Sequence, residues 1–301
     1  MSIFPIRTRV THGPALPKAS ALPGITAGRA LVTGASSGIG RATAVALSEA
    51  GYEVFGTSRR GADAPAPDGV TMLPLDLGDP ASIEELVASF SPGGDFARRD
   101  SGPLMEVVVC NAGESQSGAF EELPREDLER LFQVNVLGHV DLIQRLLPSM
   151  RRAGAGRVVV VGSMLGSLPL AYRSSYVATK AALSGFARAL RGEVARFGIG
   201  VSVVEPGSVN TGLSGRRTRL GGGEGSPYRG DVRRMLERLD ANEAAGIPAE
   251  DVAAVIVDEV LSDRPAAYRA RGSHAGVVVP LTRLLPEQLR LDLLKRFHGL
   301  G

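Results

Sequence analysis

Twelve residues near the start of the chain, Arg29 to Gly40 (Arg-Ala-Leu-Val-Thr-Gly-Ala-Ser-Ser-Gly-Ile-Gly), constrain its fold more than any other stretch. The apolar run Ala30, Leu31, Val32 reads as a buried strand that stops at Gly34, and an apolar-periodic helix pattern begins after Gly38. Strand, glycine turn and helix in that order make a phosphate cradle, because free backbone N–H groups and the positive end of the helix dipole face one anion. Gly34 permits the tight turn, Gly38 lets the backbone approach a pyrophosphate, and Gly40 lets helix pack on strand. Ser36, Ser37 and Ile39 lie between those glycines and are expected at the same ligand. A P-loop is excluded, since no Gly-Lys-Ser or Gly-Lys-Thr closes the turn.

The rest of the chain alternates strand and helix patterns. Strands are expected at Tyr52–Thr57, Val70–Leu75, Leu104–Cys110, Arg157–Gly162, Ile199–Glu205 and near Val277–Val279. A helix starts at Asp79-Pro80, with a capping acid and a first-turn proline. Others are expected at Arg125–Met150, Ser174–Phe197, Asp231–Ala245 and Pro248–Leu261. Continuous Val and Leu runs between helices predict an α/β fold, a doubly wound parallel sheet of about seven strands with helices on both faces. Ligands of such sheets bind beyond the carboxyl ends of the strands. Residues 1–28, with Pro5, Pro14, Pro17 and Pro23 and little periodicity, read as a disordered extension. Residues 29–301 read as a single domain.

Composition excludes several function classes. The 34 basic and 32 acidic residues are spread along the chain, which argues against a nucleic-acid face. One cysteine, Cys110, cannot form an intrachain disulfide, and four scattered histidines (His12, His139, His274, His298) suggest no metal site. No apolar run approaches the ~18 residues of a membrane span, and no signal-peptide pattern opens the chain. The expectation is a soluble, cytoplasmic protein.

Strand two ends Gly56-Thr57-Ser58-Arg59, where a dinucleotide domain chooses its cofactor. Ser58 stands where an acid would bind the adenosine ribose, and Arg59 can grip a 2′-phosphate, so NADP(H) is expected over NAD(H). Asp76, after strand three, can accept from an adenine amino group or simply serve a surface turn. Tyr176 and Lys180 stand four apart and share a helix face. An ammonium one turn away favours the phenolate, as a group that gives and takes a proton near neutrality requires. Ser163, at the end of strand five, can hold a substrate oxygen.

Taken in order, Thr33-Gly34-x-x-x-Gly38-x-Gly40, Asn111-Ala112-Gly113, Asn135, Ser163, Tyr176-x-x-x-Lys180 and Pro206-Gly207 with Thr211 resemble the short-chain dehydrogenase/reductase family, from about Arg29 to Asp263. The chain carries Cys110 where the family commonly has Asn. The resemblance implies a Rossmann-like fold and an NAD(P)-dependent enzyme that moves a hydride between nicotinamide and a carbonyl or secondary alcohol. It implies catalytic roles for Asn135, Ser163, Tyr176 and Lys180, with Asn135 relaying from Lys180 to solvent through water. Leu77, Asn111, Ala112, Gly113, Pro206 and Gly207 would surround the cofactor, with Val209 and Thr211 at the carboxamide. Members pair through helices equivalent to Arg125–Met150 and Ser174–Phe197, so a homodimer or homotetramer is expected. The Gly-x-x-x-Gly-x-Gly spacing differs from the Gly-x-x-Gly-x-x-Gly of the extended-branch epimerases and dehydratases.

The C-terminal third should set the substrate. Gly212 to Gly230 holds seven glycines and four arginines, so residues 212–245 are expected to form a mobile loop or lid over the site. The leucine-rich tail, residues 280–301, is expected to be helical and to cover the core; the alternative is that it lines an apolar pocket. Arg283-Leu284-Leu285-Pro286 looks like the hydroxysteroid- and retinol-dehydrogenase-like branch. With Met164, Leu165, Leu168 and Leu170 after Ser163, this suggests a bulky apolar ketone, aldehyde or alcohol, steroid-, retinoid- or polyketide-like, reduced by NADPH. An NAD-dependent alcohol dehydrogenase or a non-catalytic dinucleotide sensor are the alternatives. A sensor would most simply lack Ser163, Tyr176 or Lys180, and all three are present.

Overall fold

The computed structural model describes residues 28–97, 104–212, 214–272 and 285–297. The first half runs β1 (Arg29–Val32), α1 (Gly38–Glu49), β2 (Glu53–Ser58), β3 (Val70–Pro74), α2 (Pro80–Phe90), β4 (Val107–Cys110) and β5 (Gln116–Ser117). It continues with α3 (Arg125–Phe132), α4 (Gly138–Ala153), β6 (Gly156–Val161), α5 (Met164–Ser167), α6 (Ser174–Val194) and β7 (Ile199–Pro206). The last third holds β8 (Thr218–Arg219), α7 (Arg229–Ala244), α8 (Ala249–Leu261), β9 (Tyr268–Arg271) and a final helix, Glu287–Phe297.

Seven strands form one sheet in the order β3-β2-β1-β4-β6-β7-β9. Every pairing in it is parallel. Strand order reverses between β1 and β4, which opens a crevice at their carboxyl ends. Alternate side chains of each strand enter opposite layers. Leu31, Phe55, Val108, Val160 and Val203 pack into one core with Ile83 of α2, Leu142 of α4 and Leu183 of α6. Ala30, Val32, Val54, Val109 and Val204 pack into the other with Leu47 of α1 and Ile256 of α8. Burial on both faces is why these strands read as unbroken apolar runs.

Local chemistry fixes the element ends. Asp79 accepts from the Ala81 amide at 2.9 Å and Pro80 fills the first turn of α2. The helix expected over Arg125–Met150 is interrupted by a π turn at Gln133–Leu137, which separates α3 from α4. The seventh strand is Tyr268–Arg271 on the sheet edge, ahead of the expected Val277–Val279, which lies outside the described residues. The expected N-terminal extension, apart from Gly28, also lies outside them, as do residues 280–284 and 298–301 of the leucine-rich tail. The segment after β7 is anchored as well as glycine-rich, for β8 pairs with β5 in a separate two-stranded sheet. Among the described residues no helix is long and apolar enough to cross a membrane.

Candidate active site

The glycine turn has the geometry of a cradle. Gly34 and Gly38 adopt φ of +70° and +54°, left-handed backbone that a side chain disfavours. A Cβ on Gly40 would lie 2.3 Å from the Gly34 carbonyl oxygen, so only glycine lets α1 approach β1 this closely. Thr33 and Asn111 brace the turn from below. Thr33 Oγ1 accepts from the Asn111 and Ala112 amides at 2.9 and 3.0 Å, and Asn111 Nδ2 donates to the Thr33 carbonyl at 2.9 Å. Ser37, the N-cap of α1, makes no side-chain capping bond.

Beyond the strand ends lies a cavity of about 1250 Å³. It is lined by Gly34, Ser36, Ser37, Gly38, Ile39, Ser58, Arg59, Asp76, Leu77, Asn111, Ala112, Gly113, Ser163, Tyr176, Lys180, Pro206, Gly207, Val209 and Thr211. Of the residues expected at the site, Gly40 and Asn135 stand behind this lining. Asp76 serves a turn as well, its Oδ1 accepting from the Gly78 amide at 2.8 Å. The Ser58 hydroxyl is buried without a hydrogen-bond partner.

Tyr176 and Lys180 lie one turn apart on α6, both buried. Lys180 Nζ donates to the Val161 carbonyl at 2.9 Å and stands 5.9 Å from the centre of the Tyr176 ring. Ser163 follows β6 by two residues and caps α5, its Oγ accepting from the Leu165 amide at 3.2 Å. Asn135 sits in the π turn, a distortion that re-aims side chains inside a helix. Its Oδ1 accepts from the Glu114 amide at 2.8 Å, and its Nδ2 donates to the Glu114 carbonyl at 3.0 Å and to Thr179 Oγ1 at 3.2 Å. A Cβ on Gly113 would come within 4 Å of both Asn135 Oδ1 and Lys180 Nζ. Two groups beneath the site are neutral near pH 7. Burial pushes the Cys110 thiol up to about 12, and it pulls the His139 imidazole down to about 4, with Nε2 donating to the Ala112 carbonyl at 2.8 Å.

Sequence reasoning missed three features. Arg173 is fully buried, lines the cavity and lays its guanidinium 4.3 Å from the centre of the Tyr176 ring. Its signal was its place three residues before Tyr176, a helical neighbour position. Glu114 pairs with Arg59 at 3.5 Å and with Arg130 at 2.6 Å, so the expected phosphate-binding cation already has a carboxylate partner. Arg216 reaches back across the cradle, donating to Ser37 Oγ at 2.7 Å.

The apolar part of the cavity is built from Met164, Leu165, Leu168, Leu239, Leu293 and Leu294. Leu170, expected among them, instead packs beneath α7 with Val232, Met235 and Leu236, since the chain turns away after Leu168. The tail does line the pocket, through Arg290, Leu293 and Leu294 of the final helix, whereas it was expected to cover the core. Leu294 packs beside Leu168, while Leu289, Leu291 and Leu293 stay exposed, Leu293 at the rim of the cavity.

A glycine cradle at the sheet's crossover thus shares one cavity with a serine, a tyrosine and a lysine. Residues 29–219 match the family model described as short chain dehydrogenase. A 3-ketodihydrosphingosine reductase of Bacteroides thetaiotaomicron is 31% identical over 274 residues, covering 90% of this chain and 97% of that protein. Among solved structures, a short-chain dehydrogenase from Streptomyces avermitilis superposes with a TM-score of 0.75 at 34% identity, covering 90% of this chain and 96% of that one. The closed form of a serine dehydrogenase complexed with NADP+ superposes at 0.66 with 25% identity, covering 81% and 94%. The chain belongs to the short-chain dehydrogenase/reductase family. It is an oxidoreductase acting on CH–OH or carbonyl groups with NAD(P).

Proposed function

We propose that the protein is an NADP(H)-dependent ketoreductase for a bulky apolar ketone or aldehyde. The observation that carries this reading is a single cavity lined by the glycine cradle, by Ser163, Tyr176 and Lys180, and by the leucines of α5, α7 and the final helix. The left-handed glycines, the uncapped start of α1 and the orphaned Ser58 hydroxyl fit a nicotinamide dinucleotide. In this reading Gly34 and Ser36 to Ile39 hold its pyrophosphate, and Gly40 packs α1 against β1 behind them. Ser58 and Arg59 hold the 2′-phosphate, Asp76 and Leu77 the adenine, and Asn111 to Gly113 the neighbouring ribose. Pro206, Gly207, Val209 and Thr211 face the carboxamide. The cofactor, when bound, supplies or accepts the hydride.

The chain's own residues manage the oxygen and its proton. Because Ser163 Oγ already accepts from Leu165, its own proton is free to be donated to the substrate oxygen. Tyr176 gives a proton to that oxygen in reduction and takes it back in oxidation. Lys180 spends one N–H on Val161, which fixes its ammonium beside the phenol and leaves two N–H groups for a ribose and a proton path. Asn135, held by both backbone groups of Glu114, anchors the water that links Lys180 to solvent. Homodimers or homotetramers form in this reading through α4 and α6, where Phe186 is 52% exposed.

The test is a panel of ketones with NADPH, followed by loss of cofactor absorbance. The ketone named for the Bacteroides relative goes first. Tyr176→Phe should keep NADPH binding and lose about 10²- to 10⁴-fold in turnover. Binding of NADPH without turnover of any ketone, aldehyde or alcohol would overturn the reading, as would a Tyr176→Phe protein within a few-fold of the parent.

A further inference from the structure

We infer that Arg173 is a positioning residue for proton transfer: its buried guanidinium, laid on the Tyr176 ring and tied to β5, orients the phenol and favours the charged oxygen. This rests on the role proposed for Tyr176.

The contact is close and deliberate in its chemistry. The guanidinium carbon lies 4.3 Å from the ring centre, a cation–π distance. The two N–H groups of Arg173 Nη1 are shared among Ser115 Oγ at 3.0 Å, the Gln116 carbonyl at 2.7 Å and Ser117 Oγ at 2.8 Å. All three acceptors are neutral, and a neutral amide side chain could satisfy such acceptors. A buried charge is far costlier to hold than an amide, so the cation's use must be electrostatic. Burial pulls the Arg173 guanidinium down to about 10, which leaves it protonated at neutral pH.

The backbone is set to deliver this side chain. Tyr172, immediately before it, has φ of 63°, a left-handed conformation uncommon outside glycine. Its carbonyl accepts from the Gly118 amide at 2.9 Å, and its hydroxyl donates to Asp231 of α7 at 3.0 Å. The segment entering α6 is thus pinned to both the β5 loop and α7.

The charges around Tyr176 leave this cation uncancelled. Lys180 approaches from α6 at 5.9 Å. Cys110 of β4 and His139 of α4 are neutral. Asp240 and Glu243 of α7 are the carboxylates on the Arg173 side, and both are hydrogen-bonded to Arg217. Glu114, after β4, is paired with Arg130 and Arg59. Two cations therefore act on one phenol.

The experiment measures alcohol oxidation with NADP+ as a function of pH for the parent, Arg173→Gln and Arg173→Lys. Removing a cation disfavours the phenolate, so the limb on which the rate rises with pH should move to higher pH in Arg173→Gln. The expected shift is about one to two pH units, the effect of one charge ~6 Å away at an effective dielectric of ~20. Arg173→Lys keeps the charge and should return the limb to within about half a unit of the parent. An unmoved limb in Arg173→Gln overturns the inference, and so does an equal shift in Arg173→Lys, which would mark lost packing. Should Arg173→Gln not fold, Ser115→Ala with Ser117→Ala keeps the charge but removes two anchors. That protein should lose at least about fivefold in kcat with little change in KM, and an unchanged kcat overturns the anchoring role. If Tyr176→Phe itself retained turnover, the fault would lie in the proposed reaction and not in Arg173.

Discussion

Arg59→Ala removes the guanidinium that follows β2 at the rim of the cavity. A charge-assisted hydrogen bond to a phosphate contributes about 1.5–3 kcal/mol. The Arg59 side chain is 70% exposed, so solvent screening cuts that figure by about half. Glu114 Oε1, 3.5 Å from Arg59 Nη1, offers the cation a rival partner and repels a phosphate. About 1 kcal/mol then remains, or roughly fivefold in affinity. The parent is expected to prefer NADPH over NADH by about tenfold in kcat/KM, because Ser58 also supplies no carboxylate for the NADH ribose. Arg59→Ala should reduce that preference about fivefold, chiefly through KM for NADPH. Glu114→Gln should raise it, since it frees both Arg59 and Arg130. Ser58→Asp with Arg59→Ala should invert it, the new carboxylate accepting from the ribose and repelling the phosphate. The assay is kcat/KM with both cofactors on one ketone, supported by direct NADPH titration of each protein. Equal use of the two cofactors by the parent, or an unchanged KM for NADPH in Arg59→Ala, refutes the reasoning.

Gly40→Ala should destabilise the fold by about 2–4 kcal/mol and abolish NADPH binding, because its Cβ would meet the Gly34 oxygen at 2.3 Å; a denaturant melt and a titration read both. His139 is neutral when folded, its imidazole lowered to about 4 by burial, whereas in the unfolded chain it titrates near ~6.5. Below pH ~6.5 the unfolded state binds the extra proton, so stability falls with pH in that window, by about 2 kcal/mol at pH 5 relative to pH 7. Urea melts at the two pH values should show that loss in the parent and a smaller one in His139→Gln. Phe186→Glu places a charge on the exposed face of α6, where Phe186 is 52% exposed, and the proposed pairing through α4 and α6 requires light scattering to show a smaller species than for the parent.

The sequence by itself determined the glycine turn and six of the seven strands of the parallel sheet. Glycine spacing reports backbone conformation directly, because glycine takes the left-handed φ values seen at Gly34 and Gly38 without the steric cost that a side chain brings. Val and Leu runs report two-sided burial, and a four-residue spacing reports a shared helix face, so Tyr176 and Lys180 were legible without coordinates. The edge strand was not legible, for Tyr268-Arg-Ala-Arg has neither face fully buried and so carries no apolar run. Leu170 was misplaced because hydrophobicity marks burial but not which core receives the side chain. The tail's leucines were ambiguous for the same reason, and only packing seated Leu294 beside Leu168 at the cavity while leaving Leu289 and Leu291 exposed. Arg173 is the clearest case. An arginine in a polar stretch reads as surface, and its burial on Tyr176 was decided by Ser115, Gln116 and Ser117, acceptors 56 to 58 residues away in the chain that the β4–β5 connection brings to it.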